Sequence, residues 1–568
     1  MFSRWRFILL LFVLFFIFLG LSYRILDLSH FSRSYYENFI NNARATKSVR
    51  KAVRGKIRDC NGAIFALTTV KFDIGVDPYI IDCHKDREKI AQLAALLEKK
   101  TEDMADFFRR ESLIREGRER RLRWKKIATI EDEDLYRKIK DLQIKGIYGN
   151  MRSERVYPNN ELASHVIGFI NRGGIAVSGI EHFLNDFLCG QDGWIVSEKN
   201  GKREEIALFR KSVVEPKNGS HVNLTIELQI QTIAEQALRR AMEELKAKNG
   251  TVIVSDPNRG AILALCNAPT FNCNEYAKSS IDNLRNRAIT DLYEPGSVFK
   301  IIPFSVALEQ GLITLDQTFD CSREHFSYGG KKYSLPRDHT FFGKLSAVDV
   351  LRKSSNRGVA QIGIMLGAER LYHAARTFGF GERTGYGFDG ESAGFVPKPK
   401  IWDGLTITRF PMGHAINATP LQVHQAMGVI ASGGYLLQPK IISRLMDERE
   451  AVIAETESRV VRQVLPSVIA KKLGELLHNP ESSSSAVAGV KLAYKTGTSQ
   501  KIINGTYSRE HHVASCSGFL PLKDPQFLIT VVLDNPIMPT GGTAYGIRAA
   551  YPVFAEIAQQ LIIFKGVR

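Results

Sequence analysis

The first pattern along the chain is an unbroken apolar run from Phe7 to Tyr23, preceded by Arg4 and Arg6. Its length is near the minimum for a helix crossing a bilayer, where roughly 20 residues are typical. A cleaved leader fits the same run, because Gly20-Leu21-Ser22 has the small-x-small form of a processing site. In either case the remaining chain, which shows no second apolar span, is expected beyond the membrane. Arg4 and Arg6 favour a cytoplasmic N-terminus, with Arg24 weakening the asymmetry. After the run, Arg24 to Lys51 is basic and helical in character, a candidate stalk at the membrane surface. Arg54–Ala66, "RGKIRDCNGAIFA", then changes to β-type alternation around an Asn61-Gly62 turn. From Ile81 to Gly146 the apolar positions mostly recur at helical spacing, in "IAQLAALLEKK" and again from Asp132 to Lys145. The following stretch, to about Gln231, is turn-rich with short strands.

A different pattern begins near Gly250. "TVIVSDP" and "AILALCN" are short β runs joined across Pro257-Asn258-Arg259-Gly260, a hairpin signal. A mainly helical stretch runs from Ile281 to about Gly433. The chain closes on three strand-like segments, "LAYKTGT", "HVASCSGF" and "FLITVVLDN", and a final helix. In that helix Ala550, Val553, Phe554, Ile557 and Leu561 share one face. Strands at both ends of a helical half predict an α+β module, an antiparallel sheet covered by helices. The boundary between modules falls at residues 225–250.

Composition narrows the function classes. A chain of 568 residues with 44% hydrophobic and 24% charged residues is globular and too long for one ordinary core. The formal charge of +17 asks for an anionic neighbour. There is no zinc-finger spacing and no basic run interleaved with stacking aromatics, which argues against nucleic acid. The densest basic stretch, Arg109 to Lys126, carries glutamates throughout and reads as a solvated helix face. The seven cysteines are scattered and lack any C-x-x-C pair, against both a zinc site and a disulfide framework. Most are expected to be small buried apolar residues.

Candidate chemistry centres on "YEPGSVFKI", Tyr293 to Ile301. Pro295-Gly296 ends one segment, and Ser297 then opens a stretch with helical apolar spacing. At a helix N-terminus, free N–H groups and the macrodipole favour developing negative charge. Lys300, at i+3, shares the face of Ser297, and its amine can act as a base if desolvation or a neighbouring cation keeps it neutral. The tetrad alone also fits a helix-capping serine beside an exposed lysine. A second copy, Ser48–Lys51, sits among Lys47, Arg50 and Arg54 in a solvated basic run. Two later elements separate the copies: Ser354-Ser355-Asn356 in a helical region and Lys495-Thr496-Gly497-Thr498 on a strand. The ordered set S-x-x-K, S-x-N, K-T-G is far more specific than any one element. It is also chemically coherent. A second serine relays protons, an asparagine holds a substrate amide, and a lysine with two threonines binds a carboxylate. A glycine lets substrate lie against the strand edge.

These motifs, with "RGKIRDCNGAIFA", "ERVYPNNELASHVIGF", "SGIEHFLNDFLCG", "TVIVSDPNRGAILALCNAPTFNCNEY" and "PMGHAINATPLQVHQAMGVIASGG", resemble the class B penicillin-binding proteins. The likeness runs from about Arg54 onward and is loose near Glu98–Asp141. It departs at Cys60, where the family usually has arginine, at Val298-Phe299 and at Cys516. The resemblance implies a C-terminal penicillin-binding, serine β-lactamase-like transpeptidase domain over residues 226–568. It implies an elongated α+β pedestal over 24–225, an uncleaved transmembrane anchor over 7–23 and a cytoplasmic tail over 1–6. It implies that Ser297 is the acylated nucleophile and Lys300 its base. Ser354 and Asn356 then complete the proton network, with Lys495 as a second cation. Thr496, Gly497 and Thr498 bind substrate, and the backbone N–H groups of Ser297 and Thr498 form the oxyanion hole. No metal or organic cofactor is called for, and His511-His512 is expected at the surface. The implied reaction is D,D-transpeptidation of peptidoglycan stem peptides ending in D-Ala-D-Ala, with β-lactams as acylating inhibitors. The implied setting is the extracytoplasmic side of a bacterial inner membrane, beside a polytopic glycan polymerase and other division proteins. "SSN" and "KTGT" resemble the division-specific branch. An elongation-specific cross-linker is the alternative, followed by a D,D-carboxypeptidase or β-lactamase-like hydrolase and by a catalytically vestigial scaffold.

Overall fold

The computed structural model describes residues 4–36, 45–115, 118–199, 205–206, 212–328 and 330–567. The chain divides into two compact units, Met1–Arg54 with Cys189–Gly219, and Gly55–Leu188 with Ser220–Arg568.

In the first unit the N-terminal apolar run forms a helix, Arg4–Leu26, continued by a π turn at Asp27–Phe31. It is apolar on every face, has no buried residue, and is long and apolar enough to cross a membrane. The basic segment after it departs from the helical expectation. Ala45–Arg50 is a β-strand, paired antiparallel with Gly193–Lys199, which also pairs with Ser212–Val214. Residues 37–44 of the expected stalk and 1–3 of the expected tail lie outside the described residues. Ser48 stands opposite Ile195 on this strand. Extended backbone turns positions i and i+3 to opposite faces, and Lys51 pairs with Asp192 at 2.6 Å. The second S-x-x-K copy therefore cannot bring its lysine to its serine.

In the second unit, residues 55–188 fold largely on the long strand Ile64–Val76, which pairs with Lys125–Ile130 and Ile147–Val156. Helices Arg87–Leu96, Thr101–Phe108 and Glu133–Asp141 close a small core around Ile74, Leu93, Met104 and Ile127. The helix face expected over Arg109–Lys126 is instead a hairpin, Ser112–Arg115 against Arg118–Arg121, followed by strand residues. That stretch has no apolar stripe at 3.6-residue spacing, so a helix there would have nothing to bury.

The rest of the unit matches the α+β expectation. Helix α1 (Leu228–Leu245) precedes strands β1 (Asn249–Asp256) and β2 (Ala261–Ala268). Helices α2 (Ile301–Glu309), α3 (Asn356–Thr377) and α4 (Pro420–Ala431) lie in the central half. Within that half, short hairpin strands at Thr318–Asp320, His325–Tyr328, Lys331–Ser334 and Lys344–Ser346 interrupt the helices. Strands β3 (Ala493–Ile503), β4 (Thr506–Leu520) and β5 (Phe527–Asp534) and helix α5 (Gly546–Lys565) end the chain. The sheet order is β2-β1-β5-β4-β3, antiparallel throughout, so the strand carrying Lys495-Thr496-Gly497-Thr498 lies at an edge.

Period-two alternation splits the sheet between two cores. Val252, Val254, Cys266, Cys516 and Val531 pack with α1 and α5, while Phe519 and Leu528 pack with the central helices. Phe554 on α5 is fully buried, which stabilises by about 1.5–3 kcal/mol relative to exposure. Cys266, Cys273, Cys321 and Cys516 are buried as expected, whereas Cys60, Cys83 and Cys189, which lie outside the core strands and helices, are exposed. His512 also departs from expectation: it lies within β4 opposite Gln500 and is buried.

α4 is tied to the sheet by a buried polar chain. His424 contacts Ser255 Oγ at 2.7 Å and Thr530 Oγ1 at 2.9 Å, and Thr530 contacts Ser517 Oγ at 2.7 Å. Burial lowers the His424 pKa to about 3. The folded chain therefore keeps it neutral, while the unfolded chain protonates it below about pH 6.5. Stability is expected to fall as pH drops from about 6.5 toward 3, by at most about 1.4 kcal/mol per pH unit from this group. Thermal unfolding between pH 7 and pH 4.5 checks this, with His424→Gln expected to show the shallower decline.

Candidate active site

Ser297 lies on a 3-10 turn, Gly296–Lys300, that runs directly into α2. Pro303 falls in the first turn of α2 and has no N–H to donate back to the 3-10 turn before it. Gly296 adopts φ +57°, and its N–H donates to the Gly413 carbonyl at 3.2 Å. A Cβ at Gly296 would come within 3.0 Å of the Thr498 carbonyl oxygen. A Cβ at Gly497 would lie 2.6 Å from Ser515 Oγ and 2.9 Å from the Pro295 carbonyl. Glycine at 497 thus lets the Ser297 turn dock on β3, a packing reason alongside the one read from sequence.

Lys300 is 1% exposed. Its amine donates to the Ser354 carbonyl at 2.5 Å and to Asn356 Oδ1 at 2.7 Å, and lies 3.2 Å from Ser354 Oγ. Lys495 donates to the same Ser354 Oγ at 2.9 Å and to the Thr496 carbonyl at 3.1 Å. Burial drives the Lys300 amine well below its ordinary pKa and the Lys495 charge pushes the same way, with Asp338 opposing. Burial lowers Lys495 to about 8. Two amines thus share one hydroxyl, and at neutral pH the deeper one is the better placed to be neutral.

The turn carrying Ser354 is held in an uncommon shape. Ser354 has φ +58°, a left-handed conformation that costs a non-glycine residue on the order of 1–3 kcal/mol. Ser355 caps α3 by accepting from the Gly358 N–H at 3.0 Å and donates to Asp338 Oδ2 at 2.9 Å. Asp338 also accepts from the Asn356 and Arg357 N–H groups, the latter at 3.2 Å. The Asn356 amide is largely committed: Oδ1 accepts from Lys300 and Nδ2 donates to the Arg337 carbonyl at 2.8 Å, leaving one N–H to offer. Thr498 Oγ1 accepts from the Gly546 N–H at 2.9 Å, so its own hydroxyl proton stays free to donate.

Ser297, Ser354, Asn356, Lys495, Thr496 and Thr498 line one cleft of about 590 Å³. A larger cleft of about 700 Å³, lined in part by Arg287, Tyr293 and Glu294, contains none of the motif residues. Size alone does not mark the site.

A model of the penicillin-binding protein transpeptidase domain matches residues 250–559, and a model of the penicillin-binding protein dimerisation domain matches residues 49–224. The chain belongs to the penicillin-binding protein transpeptidase family. It is 30% identical over 509 residues to the probable peptidoglycan D,D-transpeptidase PenA of Neisseria meningitidis, covering 89% of this chain and 83% of that one. It is 31% identical to the peptidoglycan D,D-transpeptidase FtsI of Buchnera aphidicola, over 75% of this chain and 72% of that one. Among solved structures, penicillin-binding protein 3 of Mycobacterium tuberculosis, complexed with aztreonam, superposes with TM-score 0.67 at 25% identity. That match covers 92% of this chain and 98% of the other.

All three penicillin-binding motifs meet at this cleft, from the turn before α2, the turn before α3 and the edge strand β3. Sequence reading missed Asp338, and quoted the Gly413–His414 segment as part of the family likeness without giving either residue a place at the site. His414 is largely but not fully covered, with its pKa lowered to about 4 by desolvation and by Lys300, and sits 3.2 Å from Glu294. Neither carries a motif of its own; each is identified only by what it touches. Asp338→Asn keeps the shape but removes the charge from its hydrogen bonds to the turn before α3. Loss of about 1.5–3 kcal/mol of stability is expected, read as a lower urea midpoint against wild type.

Proposed function

We propose that this chain is a serine-type D,D-transpeptidase that cross-links peptidoglycan stem peptides in septal wall synthesis. The observation that carries this reading is the Lys300 amine, buried one short helical turn from Ser297 and sharing the Ser354 hydroxyl with Lys495. The names of the PenA and FtsI relatives support the reaction class, and "SSN" with "KTGT" supports the division branch.

In the proposed reaction a stem peptide pairs along β3, with its terminal carboxylate on Lys495, Thr496 and Thr498 and Gly497 leaving room for the backbone. Asn356 offers its remaining N–H to the peptide. Neutral Lys300 takes the Ser297 proton as Oγ attacks the penultimate D-alanine carbonyl. The backbone N–H groups of Ser297 and Thr498 hold the developing oxyanion; Gly296 packs directly against Thr498, which keeps these two segments in contact. Ser354 passes the proton toward the leaving amine, and D-alanine departs. A second stem peptide's amine then resolves the acyl-enzyme. β-Lactams, such as the aztreonam bound to the mycobacterial relative, would acylate Ser297 in the same way.

The helix Arg4–Leu26 is assigned as an uncleaved anchor, with a tail over 1–6 and the span itself over 7–23. Residues 24–225 are assigned as the extracytoplasmic pedestal and 226–568 as the catalytic domain. A polytopic glycan polymerase and other division proteins are the proposed partners. An intact mass of the membrane-extracted protein lacking the first two dozen residues would remove the anchor from this reading.

Fluorescent penicillin is expected to label wild type covalently and to leave Ser297→Ala unlabelled; labelling of the variant would place the nucleophile elsewhere. The acylation rate is expected to rise with pH as Lys300 loses its proton. It should then fall near pH 8 as Lys495 loses the charge that holds the carboxylate. Lys495→Arg, whose guanidinium stays charged, should lower the maximum but remove that alkaline limb.

A further inference from the structure

The larger cleft, of about 700 Å³, takes no part in the chemistry described above, yet it adjoins the same strand. Ser499, Gln500, Lys501 and Ile502 of β3 line it, directly after Thr498. Side chains alternate between faces along a strand, so four consecutive lining residues place the cleft at the open edge of β3. Pairing with β4 is irregular between Gln500 and Ile502, a feature that re-aims side chains beside functional sites. Tyr293 and Glu294, which lead into Pro295-Gly296-Ser297, also line it. The wall is polar without a charge excess. Arg285, Arg287 and Lys501 are met by Asp291, Glu294 and Asp534. The two arginines share Asp291, at 2.7 and 3.4 Å, and Lys501 pairs with Asp534 at 2.7 Å. Two polar atoms of these wall residues are nevertheless buried without a hydrogen bond among the described residues. Arg287 is 2% exposed and its Nε has no partner; Glu294 is 8% exposed and its Oε2 has none, with the His414 ring 3.2 Å away. A buried polar atom left unmet is costly, and a ligand that meets it recovers part of that cost. Asn417 and Gln500 add side-chain amides, and the exposed Leu292 and Ile502 add apolar surface. Balanced charge, amides and apolar patches suit an uncharged ligand rich in hydroxyl and amide groups.

We propose that this cleft holds the sugar to which the donor stem peptide is attached. The inference rests on the transpeptidase reading above. With the donor's terminal carboxylate on Lys495, Thr496 and Thr498, the rest of the donor runs the other way along β3, toward Gln500. A stem peptide is joined at its N-terminus, through a lactyl ether, to an N-acetylated amino sugar that carries hydroxyls, an amide and no charge. Roughly three residues separate that junction from the attacked carbonyl, or about 10 Å of extended chain. From Thr498 to Ile502, β3 spans about 13 Å. Strand and peptide are thus of matching reach, and the sugar arrives where the unmet groups stand. A ring or acetamido oxygen supplies the acceptor that Arg287 Nε lacks, and a hydroxyl or amide N–H the donor that Glu294 Oε2 lacks. Contacts so far from the reacting atoms persist through attack and anchor the peptide along the strand.

Release of D-alanine by the full-length protein tests this with two donors. One is a pentapeptide bearing its muramyl disaccharide; the other is the same pentapeptide with an N-acetyl group in place of the sugar. Wild type is expected to show a kcat/KM at least fivefold higher for the sugar-bearing donor. Free disaccharide is expected to slow that donor while leaving fluorescent penicillin labelling of Ser297 unchanged. Gln500→Ala and Asn417→Ala are expected to at least halve the donor ratio. Should Gln500→Ala fail to label with penicillin, Asn417→Ala, which alters an exposed side chain, carries the same expectation. A smaller wild-type ratio overturns the proposal, as do labelled variants that keep the wild-type ratio. Free disaccharide that leaves the sugar-bearing donor unslowed overturns it, and one that blocks penicillin labelling places the sugar in the catalytic cleft and overturns it too. A wild type that releases D-alanine from neither donor, or takes no penicillin label, overturns the transpeptidase reading itself, and this subsite with it.

Discussion

Removing a lysine amine from water costs several kcal/mol unless the group is paired or neutral, and this site removes two. Among the described residues, no carboxylate is in hydrogen-bonding contact with Lys300 or Lys495; what they share is the hydroxyl of Ser354. Their mutual repulsion and burial both favour discharging the deeper amine. Lys300 therefore depends on the apolar packing that surrounds it. Val298, Phe299, Ile301 and Ile302 flank it in sequence and are all buried, and Phe299 meets Phe380 and Phe410 edge-on. The residues that made the first motif look unusual, Val298-Phe299, are part of what keeps water from the amine.

That burial requires three segments to approach closely. Gly296 and Gly497 permit the turn before α2 to rest on the edge of β3, and the Gly413 carbonyl holds the turn from the other side. The turn before α3 is brought in by a different means. Ser354 accepts a left-handed backbone, and Asp338 gathers the N–H groups that follow it. Strain at one residue is thus offset by a charged cap on its neighbours. The same carboxylate raises the pKa of Lys300, so Asp338 stabilises the turn while opposing discharge of the amine. Burial is the larger effect.

The cleft inherits an electrostatic asymmetry from this arrangement. It holds amines that carry less charge than lysines usually do, and Arg352 and Lys353 also line it, with no aspartate or glutamate among the described lining residues. In the reaction proposed above, the more exposed of the two amines, Lys495, is the one assigned to the donor's carboxylate.

Much of the catalytic module was legible from period and spacing. The alternating runs became β1, β2 and β3–β5, and Ala550, Val553, Phe554, Ile557 and Leu561 are the buried face of α5. The apolar run became a helix because nothing polar interrupts it. Elsewhere local pattern misled. Residues 45–50 became a strand through pairing with 193–199, more than a hundred residues away, and residues 112–121 became a hairpin because no apolar stripe anchored a helix. The two S-x-x-K tetrads make the distinction sharpest. Sequence determined that each serine precedes a lysine by three positions, and the later motifs pointed to Ser297. Only the tertiary structure decided that one tetrad winds as a helical turn with its serine on a cleft wall and its lysine buried, while the other lies on or beside a solvated strand. An amine's basicity is set by the water and charges around it, and those are assembled from segments that are neighbours only after folding.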